Sequence, residues 1–180
     1  MLKRLYFFGR HVIILALVTS IFMLQGPTTA HATDPDFLSL GLGISDYNDD
    51  KTAAEGRFEY RSNIELSIFR PFSGFMMTSD RAMYGYGGLF VDFFFGRRIV
   101  VQPSLAVGAY SSGAGKNLGH WIQFSPKLEV AWRFDDRSRL GLSVAHMSNA
   151  SLNDKNPGTE SVLLTYSLPF DRIAKHNLWE

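Results

Sequence analysis

The sequence predicts an all-β protein, an eight-stranded antiparallel transmembrane β-barrel over residues 33–180, preceded by a secretory signal over residues 1–32. Three observations predict it. The chain opens with a basic, then apolar, then small-residue segment; from Thr33 onward apolar and polar residues alternate in block after block; and the connections alternate between tight turns and long polar loops. Alternation with period two puts successive side chains on opposite faces of a strand. An even strand number with short and long connections in turn suits a bacterial outer-membrane barrel.

The leader comes first. Met1 to Arg10 carries Lys3, Arg4 and Arg10 without an acid, Val12 to Leu24 is almost wholly apolar, and Gln25 to Ala32 ends in Ala30-His31-Ala32. This is the order of a signal peptide, with cleavage expected before Thr33. Its apolar run of 13 residues is shorter than the roughly 17–25 that a membrane-spanning helix needs. Removing it leaves 15 basic against 17 acidic side chains. A mildly acidic remainder argues against a nucleic-acid partner, which would call for a basic stripe. With 180 residues the chain has room for one domain. It has no cysteine, which excludes a lipoprotein anchor, disulfide frameworks, iron–sulfur ligation and thiol nucleophiles.

The strands are expected near residues 37–47, 55–62, 66–78, 83–95, 98–110, 120–134, 137–148 and 159–168. In the first, Leu38, Leu40, Leu42 and Ile44 oppose Ser39, Gly41, Gly43 and Ser45; in the second, Phe58 and Tyr60 oppose Glu55, Arg57, Glu59 and Arg61. The third and fourth alternate poorly and are read as strands from their aromatic content. Ile99, Val101, Pro103, Leu105 and Val107 form the apolar row of the fifth. The sixth is the most regular, with Ile122, Phe124, Pro126, Leu128, Val130 and Trp132 against Gln123, Ser125, Lys127, Glu129 and Arg133. Leu140, Leu142 and Val144 mark the seventh, and Val162, Leu164 and Tyr166 the eighth.

Charges line one face and branched or aromatic residues the other. A soluble barrel turns the apolar face inward, whereas an outer-membrane barrel turns it toward lipid. Aromatics near strand ends (Tyr84, Tyr86, Trp121, Trp132 and Phe134) read as interfacial girdles. Gly96-Arg97 and Asp135-Asp136 are tight, residues 48–54, 111–119 and 149–158 are long and polar, and the short connection at 79–82 breaks the rhythm. Arg97 and Arg98 read as turn charges, and Glu55, Arg57, Glu59 and Arg61 as lumen charges. With a periplasmic N-terminus, the seventh strand ends at the outer leaflet.

Chemistry gathers there. His146 and Ser148 share parity with Leu140, Leu142 and Val144, and Glu160 shares parity with Val162, Leu164 and Tyr166. All three fall on the row that faces lipid, where an unpaired ionisable group is costly. A hairpin register with His146 opposite Glu160 would bring their Cβ atoms to about 5 Å. Ser148 could then serve as nucleophile, His146 as base and Glu160 as the acid that orients the imidazole. Asn149, Asn153 and Asn156, or backbone N–H groups of the same loop, could stabilise an oxyanion. The plainer reading is that a His with a nearby Ser, and a Glu at a strand start, only mark the membrane boundary.

His146-Met147-Ser148-Asn149-Ala150, then Asn156-Pro157-Gly158 and Glu160, resembles the H-x-S-N-A … N-P-G signature of the lipid A 3-O-deacylase (PagL) family. Phe58-Glu59-Tyr60-Arg61, Leu118-Gly119 followed by Gln123-Phe124, and Arg139-Leu140-Gly141-Leu142 are similar to that family as well. The resemblance implies a hydrolase of the outer membrane of a Gram-negative bacterium, with its site on the lipid-facing wall at the outer leaflet. It implies a serine esterase that modifies lipopolysaccharide without a cofactor or metal, releasing the 3-hydroxyacyl chain at position 3 of lipid A. Carried over by position, Ser148 is the nucleophile, His146 the base and Glu160 the orienting acid; Asn156 matches the oxyanion asparagine and Asn149 a supporting residue. Ser151 stands where the family often has glycine, whose backbone N–H serves the oxyanion. The charged tail Asp171 to Glu180 is a second departure. The resemblance also implies a capacity to form a homodimer. Lys116 and Lys155 read as solvated loop charges ahead of contacts to lipid A phosphates. A non-enzymatic structural or adhesive barrel, a phospholipid esterase and a soluble periplasmic barrel remain alternatives.

Overall fold

The computed structural model describes residues 34–47 and 52–170 of the chain. The expected signal over 1–32 and the tail after Phe170 lie outside the described residues. Nine strands in order close a single antiparallel sheet: β1(Phe37–Ser45), β2(Ala53–Arg61), β3(Arg70–Thr78), β4(Met83–Phe90), β5(Phe93–Phe95), β6(Ile99–Ser111), β7(Ile122–Arg133), β8(Arg139–Met147) and β9(Thr159–Pro169). Chain neighbours pair except β4 and β5, which both pair with β6, and β9 returns to β1. β4 and β5 are therefore two halves of one stave, and the barrel has eight.

The break in that stave has a cause. Phe90 pairs with Ser104 and Phe93 with Val101, so the gap faces Pro103. Val91 donates to the Pro103 carbonyl at 3.1 Å, but proline has no N–H to return. Asp92 uses the interruption to turn inward, where it accepts from Gln102 Nε2 at 2.6 Å and Arg139 Nη2 at 2.8 Å. The third expected strand also starts late. Residues 66–69 form a small turn closed by Leu66–Phe69 backbone bonds of 2.7 and 3.2 Å, with Ser67 at φ 65°. Regular pairing starts at Arg70.

The direction of the faces separates membrane barrel from soluble barrel. Leu42 (62% exposed), Phe58, Leu105, Val130, Leu142 and Leu164 all point outward, while Glu55, Arg57, Glu59, Arg61, Lys127 and Glu129 are buried within. In water this arrangement would expose a continuous apolar belt and bury charge; in a bilayer both faces are matched. The interior charges are paired. Arg61 grips Glu129 through two nitrogens at 2.7 and 3.1 Å and Glu59 at 2.8 Å, and Lys127 and Tyr86 both donate to Glu59. Arg57 pairs with Glu55. At the N-terminal end Asp34 joins Arg133 and Arg139 at 2.8 and 2.6 Å.

Not all of the interior is charged. Phe72, Met76, Tyr84, Tyr86, Phe90, Leu118 and Met147 form an apolar cluster inside the wall of β3 and β4. Tyr84 and Tyr86, expected in an interfacial girdle, stack on each other within the barrel with centroids 4.8 Å apart. The small residues around them explain the reversal: a Cβ at Gly74 would meet the Tyr86 ring at 2.8 Å, so glycine opens the space the ring fills. Trp121, Trp132 and Phe134 do face outward.

Candidate active site on the outer wall

β8 carries Leu140, Leu142, Val144 and His146 outward and Gly141, Ser143, Ala145 and Met147 inward. The register sets His146 opposite Glu160 and Met147 opposite Thr159. His146 Nδ1 lies 3.2 Å from Glu160 Oε1, with both side chains partly exposed on the apolar wall. The contact engages Nδ1 and leaves Nε2 on the far edge of the ring, away from Glu160.

Ser148 lies just past β8. Its backbone exchanges two bonds with Phe124 of β7, at 2.8 and 3.0 Å, so the extended conformation continues and Ser148 follows His146 on the same face. The next residue reverses direction. Asn149 is fully buried, and its Nδ2 donates to the carbonyls of Leu118 and Lys155, both at 2.8 Å. Its N–H donates to Asn156 Oδ1 at 3.0 Å. One side chain thus ties the loop over residues 112–121 to the loop over 148–158. Leu118, buried in the apolar cluster, anchors the first of these loops in the barrel mouth. Gly119 permits the two to touch, since a Cβ there would meet the Lys155 carbonyl at 1.9 Å.

Asn149 to Leu152 form a β-turn closed by Leu152 N–H to Asn149 O at 3.0 Å, with Ala150 at φ 50° and Ser151 at φ 65°. Two positive φ values in the central positions make this a type I′ turn, which favours Gly or Asn. The position of Ser151 is therefore one where glycine is the unstrained choice; serine retains the N–H but bears the steric cost of a side chain. Because Asn149 N–H occupies Asn156 Oδ1, the amide nitrogen of Asn156 is the end that can donate elsewhere.

Gly158, at φ 68°, closes the site from below. A Cβ on it would stand 2.8 Å from His146 Cε1 and 3.4 Å from Nε2. In the sequence Pro157-Gly158 stands out only as part of the family signature, and nothing local marks its contact with the imidazole. Asn153 caps its own loop, its Oδ1 accepting from Lys155 N–H at 3.0 Å. Lys116, expected as a solvated loop charge, instead forms an ion pair with Asp46 at 2.7 Å. Lys155 is exposed. Arg98 pairs with Asp135 between two adjacent turns at 2.7 Å. Among the described residues no group of three or more His, Asp and Glu side chains is placed to hold a metal ion.

An apolar groove of about 530 Å³ runs along the wall from Phe124, the backbone partner of Ser148, past Val107, Leu105 and Leu89 toward Phe69. Gly87 forms part of its floor, and a Cβ there would meet nothing closer than 3.7 Å. The missing side chain is what leaves the depression.

Residues 72–169 match the family described as Lipid A 3-O-deacylase (PagL). The chain is 31% identical over 77 residues to the lipid A deacylase PagL of Bordetella bronchiseptica, covering 42% of this chain and 43% of that protein. It is 30% identical over 71 residues to the lipid A deacylase PagL of Pseudomonas aeruginosa, covering 38% and 41% respectively. These alignments span about two fifths of the length of the curated relatives. In fold, the chain is similar to the crystal structure of the outer membrane enzyme PagL, with a TM-score of 0.56 at 20% identity over 74% of this chain and 99% of that one. It is also similar to Neisserial surface protein A, with a TM-score of 0.50 at 10% identity over 77% and 98%.

Proposed function

Since this chain belongs to the lipid A 3-O-deacylase (PagL) family and is an outer-membrane β-barrel of a Gram-negative bacterium, we propose that it hydrolyses the ester linking a 3-hydroxyacyl chain to position 3 of lipid A. The observation that carries the reading is the His146–Glu160 pair, in register and at 3.2 Å on the lipid-facing wall, with Ser148 next on the same row. A carboxylate and an imidazole there meet low-dielectric surroundings that a structural barrel has no need to accommodate.

In this reading Ser148 Oγ attacks the ester carbonyl carbon and passes its proton to His146 Nε2. Glu160 holds Nδ1–H and stabilises the imidazolium that forms. The oxyanion is met by the Asn156 amide nitrogen and the Ser151 N–H. Collapse breaks the bond to the sugar oxygen, which takes the proton from His146. Water then attacks the acyl-serine, His146 accepts its proton and returns it to Ser148, and the 3-hydroxy fatty acid leaves. The groove leading from Phe124 supplies an apolar bed for the departing chain. All three reacting groups come from one β8–β9 hairpin, so the reading needs no second copy. We also assign residues 1–32 as the signal removed on export; sequencing of the mature N-terminus should begin at Thr33.

The test is mass spectrometry of lipid A from a host without deacylases, expressing this chain or its Ser148→Ala form. Loss of one 3-hydroxyacyl chain with the first only is the expected result. Unchanged lipid A beside a folded, inserted barrel would refute the substrate assignment, and a phospholipid assay would then separate an esterase of other specificity from a structural barrel.

A further inference from the structure

Behind the His146–Glu160 pair, on the luminal side of the same hairpin, stands a charged contact that the reaction steps leave unused. Past the end of β1, Asp46 turns left-handed at φ 56°, and its N–H donates to the Glu160 carbonyl at 2.7 Å. Glu160 is thereby held from two sides. His146 of β8 faces it in register, and Asp46 extends the β1–β9 ladder one residue beyond the Ser45–Ser161 pair. The Asp46 side chain enters the barrel mouth, where only 4% of the residue is exposed. Its Oδ1 accepts from Lys116 Nζ at 2.7 Å and from Thr159 Oγ1 at 3.3 Å. Its Oδ2 has no partner among the described residues.

This is a costly way to use an aspartate. A non-glycine residue in the left-handed region, with one oxygen of its buried carboxylate unpaired among the described residues, persists where the surroundings over-determine it. What they determine is the start of β9. Thr159 immediately precedes Glu160, and Met147, which borders the same small cavity as Asp46 and Thr159, immediately follows His146. Lys116 brings in the 112–121 loop, whose Leu118 carbonyl is in turn held by Asn149. Of the residues flanking the pair, Thr159 is thus bound to the Asp46–Lys116 ion pair, and Met147 borders the cavity beside it.

We propose that Asp46 and Lys116 are positioning residues for the reaction: a charge clasp across the barrel mouth that fixes Thr159, and through it the Glu160 carboxylate, against His146. The inference rests on the triad reading given above. The test uses the refolded full-length barrel and measures covalent labelling of Ser148 by a lipophilic fluorophosphonate, together with kcat and KM on purified lipid A. Asp46→Asn and Lys116→Met are each expected to slow labelling and kcat about tenfold with little change in KM, since positioning acts on the transition state more than on substrate binding. Heat-resistant migration should show both barrels folded, and Lys116→Arg should restore most of the rate. A purely structural role would lower the folded fraction but not the rate per folded barrel. Wild-type rates in both variants overturn the clasp and leave the triad standing. Absence of Ser148 labelling in the unmutated protein overturns the triad and the clasp with it. Should Lys116→Met fail to fold, Asp46→Asn, which keeps the shape and removes the charge, decides by the same rates.

Discussion

Gly158→Ala tests the site with a single methyl group. The added Cβ would lie 2.8 Å from His146 Cε1, whereas carbon atoms rest at about 3.5–4.0 Å. The ring must therefore retreat by roughly 1 Å, and it starts from a 3.2 Å contact to Glu160 that has little length to give. Displacement on that scale costs on the order of 100-fold in rate, equivalent to about 2.7 kcal/mol. Backbone strain must be separated from this. Alanine at positive φ costs about 1–2 kcal/mol, partly offset by about 0.4–1 kcal/mol from a less flexible unfolded chain. Gly96 provides the control, at φ 65° with nothing within 4 Å of the position its added methyl group would take. Both variants should lose similar stability in urea-dependent unfolding in lipid vesicles, but only Gly158→Ala should lose lipid A deacylation and Ser148 labelling. Retained activity in Gly158→Ala, or an equal loss in Gly96→Ala, would refute the contact as the cause.

Two further outcomes follow from the loop and the lumen. Ser151→Gly relieves a side chain at φ 65° and should stabilise the barrel by about 0.5–1 kcal/mol, the strain removed less the entropy that glycine adds to the unfolded chain; unfolding midpoints check the stability, and lipid A turnover should be no lower than in the unmutated protein. Arg61→Met removes the donor that holds Glu129 at 2.7 Å, while Glu59 keeps Lys127 and Tyr86, and should destabilise by about 3–5 kcal/mol, the penalty for breaking a buried pair. Heat-resistant migration should be lost at a lower temperature, while barrels that remain folded keep their rate of Ser148 labelling.

Strand parity was the most readable feature of this chain. Where one face is charged and the other branched, as in Ala53–Arg61 and Ile122–Arg133, the alternation distinguishes lumen from lipid residue by residue. The same parity placed His146 and Glu160 on the outer wall, and the observed register pairs them. It failed at Met83–Phe90, because Tyr84 and Tyr86 face an apolar part of the lumen and glycines occupy much of the opposite row. With neither face polar, alternation carries no direction. What decides there is the space left by Gly74 on β3 and the hydrogen bond from Tyr86 to Glu59 on β2 at 2.9 Å, both of which lie outside the strand's own pattern. The break at Val91-Asp92 was hidden for a similar reason: Pro103 interrupts its partner strand, not its own. Lys116 and Asp46 are 70 residues apart, and no local pattern links a loop lysine to an acid at the end of the first strand.

The placement of strain and charge bears on why the proposed site lies outside the barrel. The interior is filled: Arg61, Glu59, Glu129, Lys127 and Tyr86 satisfy one another across it, and the apolar cluster occupies the wall beside them. A substrate with acyl chains has no apolar bed in that network. The outer wall offers one, because its apolar groove reaches Phe124, which is bonded to Ser148. A site on an exposed strand end must nevertheless be rigid, since loops beyond the ladder are held by few backbone bonds. Here rigidity comes from the lumen side. Asn149 turns inward to tie two loops, Leu118 is sunk in the apolar cluster, and Asp46 grips the start of β9. Left-handed backbone at Asp46, Ala150, Ser151 and Gly158 is concentrated around the same hairpin, where these inward contacts can hold it. The packed lumen thus serves as the rigid support for the proposed site on the opposite face of the same strands.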